Sequence, residues 1–335
     1  MRMRLTKIKS AKELAAQAAA ILLIFITFSQ NDCVQAGMKS PPPDRVNVII
    51  IGDRVVDIAY NLGVLPVAMS VRGSLWPMAK QFKAASRILG CPRCIVLKKG
   101  TVPRACRTYG VRRLIVEKSD PYCLYKPEVK PENIVPIMAG EDVMIEYVDF
   151  SNGLEQAVHR TAELLGLESK AGLVIEKYEK ALAAAKSKLP SEKTGKKVVI
   201  FNGIYQPSSG KSMLRVEAPG GYADRFLLAP LGYVNAGDCF RPANGKSQKG
   251  HFPVPKKKGG FVLDPLIEAN PDVLIITGDA LALQTALADY RAANPALAQV
   301  KAVRDMAVYT LPGYVDSSVL EYPTILRKWA VALSR

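Results

Sequence analysis

The sequence predicts an α/β protein of two similar lobes joined by one long helix. Three observations predict it. A buried strand ending in glycine, Val46-Asn-Val-Ile-Ile-Ile-Gly52, is followed much later by a second of the same kind, Lys197-Val-Val-Ile-Phe-Asn-Gly203. A helical segment closed by glycine follows each, Asp57-Ile-Ala-Tyr-Asn-Leu-Gly63 and Asp224-Arg-Phe-Leu-Leu-Ala-Pro-Leu-Gly232. Between the two halves runs an amphipathic stretch from about Ser169 to Leu189. Its Ile175, Tyr178, Leu182, Ala185 and Leu189 share one helical face.

Asp53 is placed to cap the first helix, near 54–62, which stops at Gly63. Leu65 to Ser70 is a second strand, and Thr108 to Val116 a helix end running into a third. Val143 to Asp149 is a fourth strand, followed by a helix over 152–166 that ends at Gly166. Ser169 is the expected cap of the long helix and Pro190 its stop. In the second half, Lys256 to Gly260 reads as a solvated loop. The segment Leu263-Asp-Pro-Leu-Ile-Glu-Ala-Asn-Pro-Asp-Val-Leu-Ile-Ile-Thr277 then carries the plainest signal in the chain. Pro271 ends a helix, Val273 to Thr277 is a buried strand, and Gly278 opens a loop at its carboxyl end. Ligands of α/β sheets sit at that edge. Helices near 280–292 and 295–303, a short strand at 307–311 and a helix over 318–333 complete the chain.

The chain has 335 residues, 49% of them hydrophobic, enough for two cored lobes. Residues 1–36 read as a secretory signal: Arg2, Arg4, Lys7, Lys9 and Lys12 precede an apolar run from Ala15 to Phe28, and Val34-Gln-Ala36 fits the cleavage rule. Gly37 is the expected new start, and an uncleaved membrane anchor is the alternative. That segment holds five of the 46 Lys and Arg and two of the 30 acids, so the remainder keeps a net charge of +13. Such charge favours an anionic ligand or surface. No nucleic-acid motif is present, and nucleic acid is not an expected partner.

Cys91, Cys94, Cys106, Cys123 and Cys239 remain after cleavage. Structural disulfides in the first lobe are the expected state of an exported chain, with a thiolate metal site or a redox site at Cys91, Cys94, Cys106 and Cys123 as the alternative. His159, on a solvated helix face, and His251, in a loop, are the only histidines, too few for a bare divalent-cation receptor. Gly210-Lys-Ser212 resembles the end of a phosphate loop, but Gly203 stands seven positions before Gly210 rather than five.

The blocks described so far, together with Asp142 to Asp149, Leu164 to Ala171, Pro207-Ser-Ser-Gly-Lys-Ser212, Leu231-Gly-Tyr-Val-Asn235 and Val300 to Tyr309, resemble the class III periplasmic substrate-binding proteins of ABC importers over roughly 45–333. These are vitamin B12 and ferric-siderophore receptors. The resemblance implies a first lobe over 37–167, a rigid bridging helix over 168–190, a second lobe over 191–335, and a ligand cleft between the lobes. It implies a monomer in the periplasm that captures a ligand and delivers it to an inner-membrane permease, with no enzymatic activity and no cofactor. The cysteine-bearing segment departs from the family pattern. The loop residues expected at the cleft are Arg72, Trp76, Lys118, Tyr122, Tyr205, Ser208, Ser209, Arg215, Asp279 and Tyr314, cations for oxyanions and aromatics for bulky faces. Siderophore, corrinoid or haem is the expected ligand, with molybdate or tungstate second. A thiol-based metal or redox protein on the same scaffold is the rival reading. Arg72 and Arg215 are expected to be loop residues whose loss leaves the fold intact.

Overall fold

The computed structural model describes residues 43–72, 81–118, 130–206, 209–243, 250–258, 260–313 and 319–334. Residues 1–42, with the signal segment, lie outside that set, as do Trp76, Tyr122, Cys123, Ser208 and Tyr314.

Among the described residues the first sheet has five strands: β1 (Asp44–Ile51), β2 (Val64–Ser70), β3 (Arg87–Ile88), β4 (Arg113–Lys118) and β5 (Met144–Asp149). Their order is β3-β2-β1-β4-β5, and every pairing is parallel. Its helices are α1 (Asp53–Asn61), α2 (Pro92–Leu97), α3 (Thr101–Tyr109) and α4 (Leu154–Leu165). Alternation along β1 decides how the sheet is covered. Ile50 packs with Val55, Val56 and Val158 of α1 and α4. Ile49 and Ile51 point the other way, against Ile95, Val102 and Ile134. Both faces are buried over residues 48–51, so that half of β1 reads as an unbroken apolar run.

Helix α5 (Glu168–Lys186) then packs against α4 and, at the far end of the chain, against α10 (Tyr322–Leu333). It touches elements that cover each sheet. Leu167 rather than Ser169 holds its cap position, with no side-chain capping bond. The helix also stops three residues short of Leu189, because the residue before Pro190 is disfavoured in helical geometry.

The second sheet contains β6 (Lys197–Gln206), β7 (Lys211–Glu217), β8 (Val234–Asn235), β9 (His251–Pro253), β12 (Val273–Gly278) and β13 (Val308–Thr310). Its main path runs β13-β12-β6-β7-β9, with β8 beside β6. Here β7 is antiparallel to both β6 and β9, so this sheet is mixed. The strand β7 corrects the expectation that Arg215 is a loop residue: it sits within the strand, opposite Asn202. His251 likewise lies in β9 and is buried, not in a loop. Lys256 and Lys257 pair with Gly260 and Phe261 as a small hairpin, β10 and β11. A π turn, Asp224–Leu228, runs into α6 (Ala229–Leu231). Then come α7 (Asp264–Ala269), α8 (Ala280–Ala293) and α9 (Lys301–Arg304). Val199, Phe201, Leu274 and Ile276 pack towards Leu283 of α8. Val198, Ile200, Val273 and Ile275 face Leu326 and Trp329 of α10.

The turn at 270–272 behaves as its residue types require. Asn270 takes a left-handed conformation, φ 42°, and its Oδ1 accepts from the Lys301 N–H at 2.9 Å. Asp272 Oδ2 accepts from Lys197 N–H at 2.8 Å, tying the start of β6 to the entry of β12.

Candidate functional site

At the carboxyl edge of the first sheet, β1 turns at Gly52 into α1. Gly52 has φ 134° and stands against Glu117, whose Cβ would lie 2.3 Å from any Cβ placed there. Asp53 does not cap α1 as expected; Gly52 takes that position. Its carboxylate instead receives the chain after β2: Oδ1 accepts the Arg72 N–H at 2.8 Å, and Oδ2 pairs with Arg72 Nε. Arg72 is therefore a buried ion-pair partner of a fully buried aspartate rather than a solvated loop residue.

A second pair lies beside the first. Glu117, at the end of β4, accepts from Arg54 N–H at 3.1 Å and from Arg54 Nε at 2.8 Å. The Arg54 guanidinium also covers the Phe150 ring at 3.9 Å. Burial pushes the Glu117 carboxyl above its ordinary value, outweighing the pull of Arg54, and the nearby Asp53 charge pushes the same way. Lys118, one residue on, is exposed, with Nζ 3.8 Å from Asp149 Oδ2. Asp149 is held below the usual carboxylate range by hydrogen bonds from Ser151, with a smaller contribution from Lys118.

The equivalent edge of the second sheet carries a neutral hydrogen-bond relay that starts from Arg215, with the Asp279 carboxylate at the start of α8. Arg215 Nε donates to Asn202 Oδ1 at 2.8 Å. Asn202 Nδ2 donates to Thr277 Oγ1 at 3.1 Å, and the Thr277 hydroxyl donates to Phe201 O at 3.1 Å. Asp279 caps α8, its Oδ1 accepting from Leu281 N–H at 3.0 Å. Gly203 cannot carry a side chain, because its Cβ would meet Asp279 O at 2.2 Å. Tyr205 is half-buried near the end of β6, opposite Ser212, and the exposed Met213 stands opposite Ile204. Ser209 is exposed, and its Oγ accepts from Lys211 N–H at 3.4 Å.

The structure thus brings Arg72 and Lys118 to one carboxyl edge, and Tyr205, Arg215 and Asp279 to the other. Sequence reading missed Arg54, Glu117, Asn202 and Thr277. Glu117 did carry a signal, as the one acid closing the apolar run Leu114-Ile-Val116. A surface concavity of about 200 Å³ lined by Arg107, Arg112, Glu141 and Asp142 lies at the opposite, amino edge of β4 and β5. Arg107 and Glu141 already satisfy each other there at 2.7 Å.

Cys91, Cys94 and Cys106 are thiols, which corrects the expectation of structural disulfides for these residues, and Cys239, the odd cysteine, is a thiol as well. Cys106 is buried in the apolar layer beneath β1 and β4. Among the described residues no three His, Cys, Asp or Glu side chains gather as a metal site.

Residues 142–315 match the family model described as periplasmic binding protein, and the chain belongs to that family. No curated protein matches it in sequence. Among solved structures, the periplasmic heme binding protein HutB of Vibrio cholerae is 16% identical, with a TM-score of 0.56 over 87% of this chain and 99% of that one. The triscatecholate siderophore binding protein FeuA from Bacillus subtilis, complexed with Ferri-Bacillibactin, is 19% identical, with a TM-score of 0.52 over 88% and 94%. The periplasmic heme-binding protein RhuT from Roseiflexus sp. RS-1 is 13% identical, with a TM-score of 0.55 over 87% and 97%. These likenesses are likenesses of fold.

Proposed function

We propose that this chain is the exported solute-binding component of an ABC importer. It captures a metal chelate (haem, a ferric siderophore or a corrinoid) and hands it to an inner-membrane permease without chemistry. One observation carries the reading: a periplasmic binding protein has its two-sheet fold in common with receptors for haem and for a ferric siderophore. The residues are consistent with an anionic, partly apolar ligand. Arg54, Arg72 and Lys118 stand at one carboxyl edge, and Arg215, Tyr205 and the exposed Met213 at the other. In this reading the lobes are residues 37–167 and 191–335, residues 168–190 bridge them, and the ligand lies between. Residues 1–36 are the export signal, removed before Gly37.

The test is a titration of the mature chain with hemin, a ferric tris-catecholate, cyanocobalamin and molybdate, followed by tryptophan fluorescence and ligand absorbance. One chelate is expected to saturate at one per chain, with Kd about 1 μM or tighter. Saturation by molybdate alone would move the ligand to a simple oxyanion. No saturation by any of the four would overturn the reading. Lys118→Ala and Tyr205→Ala are the informative variants, because neither residue supports the buried network. Loss of a charged contact should weaken binding roughly ten- to a hundredfold for Lys118→Ala.

A further inference from the structure

The segment between β3 and β4 precedes the span matched by the family model and contains Cys91-Pro92-Arg93-Cys94. Cys91 occupies the cap position of α2 and Cys94 lies three residues on, so the two side chains share one face of the turn. The Cys91 thiol donates to Cys94 Sγ across 3.2 Å. Cys94 is exposed and Cys91 half-buried, so an attacking reagent meets Cys94 first.

The backbone here is held from several sides. Pro92 opens α2 and presets its own φ. Gly90 has φ 113°, and a Cβ there would come within 2.9 Å of Cys94 Cβ. The Gly90 carbonyl accepts both Val71 N–H and the Ser70 hydroxyl, each at 3.0 Å. The pair is thus anchored to the end of β2, immediately before Arg72. A disulfide needs sulfurs about 2.05 Å apart, so the two atoms have to close by only ~1 Å. Cys106 and Cys239 are not competitors at this place: Cys106 is buried in the core of the first sheet, and Cys239 lies half-buried against the core of the second.

We propose that Cys91 and Cys94 are a reversible dithiol–disulfide site that exchanges with external organic disulfides. The Cys94 thiolate attacks one sulfur of an external disulfide. A Cys94–S–S–R bond forms and one thiolate leaves. The Cys91 thiolate then attacks Cys94 Sγ, forming the Cys91–Cys94 bond and expelling the second thiolate. The protein dithiol loses two electrons and two protons, and the external disulfide gains them as two thiols. An excess of external thiol reverses the sequence. The site is independent of the ligand reading and stands or falls separately from it.

Peptide mapping tests it, because trypsin cleaves after Arg93 and separates the two cysteines. The full chain is equilibrated with oxidised and reduced glutathione at stepped ratios, alkylated, digested and weighed. With oxidised glutathione in excess, the peptides Ile88–Arg93 and Cys94–Lys98 are expected joined by one disulfide. Dithiothreitol is expected to release both, and Cys94→Ser to abolish the joined species. Full alkylation of both cysteines under the most oxidising mixture would overturn the proposal. So would linkage of either one to Cys106, Cys123 or Cys239, or a joined pair that dithiothreitol does not open in the folded chain.

Discussion

The two carboxyl edges solve one problem in opposite ways. Each must bring strand ends, a glycine turn and a helix start together at the rim of a buried sheet. The first edge uses full charges: Asp53 with Arg72, and Glu117 with Arg54, both acids almost wholly buried. The second uses a neutral relay, Asn202 to Thr277 to the Phe201 carbonyl, with Arg215 at its outer end. A buried ion pair recovers its desolvation cost only through its partner, so removing one member leaves a stranded charge. A neutral relay leaves only an unpaired dipole. The first edge is thus the more brittle; there β1 turns at Gly52 into α1, whereas β6 runs on through Gly203 into its hairpin with β7.

The largest loss of stability is expected from Arg72→Ala. It leaves the Asp53 carboxylate buried without its guanidinium and should destabilise the fold by ~3–5 kcal/mol. A denaturant melt reads this directly. An unchanged midpoint would mean that water reaches Asp53, and that the edge is softer than its geometry. This expectation reverses the one drawn from sequence, where Arg72 was a loop residue of no consequence for folding.

Thr277→Val probes the second edge with little change of shape. It removes the hydroxyl that both accepts from Asn202 and donates to Phe201 O, and should cost roughly 1–2 kcal/mol in the same assay. A loss as large as that of Arg72→Ala would erase the distinction between charged and neutral edges.

The smallest effect concerns pH. The Glu117 carboxyl is raised above its ordinary value of 4.5 by burial. An acid whose folded value exceeds its unfolded one gives stability that is complete below 4.5 and is lost as pH rises through the folded value. The slope from this one proton is no more than about 1.4 kcal/mol per pH unit. Glu117→Gln should flatten that part of the stability–pH profile relative to the parent chain. An identical profile in the variant would assign the slope to other groups.

Sequence alone determined the alternation of strands and helices, the restart at Lys197 and the turns at Gly63, Gly166, Gly232 and Asn270. Each is settled by neighbours within one turn of chain: apolar spacing, a proline that cannot continue a helix, a glycine free to adopt positive φ. Tertiary structure decided what the polar residues at those turns do. Asp53 looked like a cap because its local setting permits capping, but its partner is Arg72, 19 residues away. Arg54 meets Glu117 across 63 residues, and Asn202 meets Thr277 across 75. Arg215 became a strand residue because Ser212 to Val216 pairs back onto β6, a hairpin whose register depends on cross-strand partners rather than on local propensity. Buried charges and amides choose partners by which strand ends the fold sets side by side, and that adjacency is a property of the sheet order, not of any local stretch of sequence.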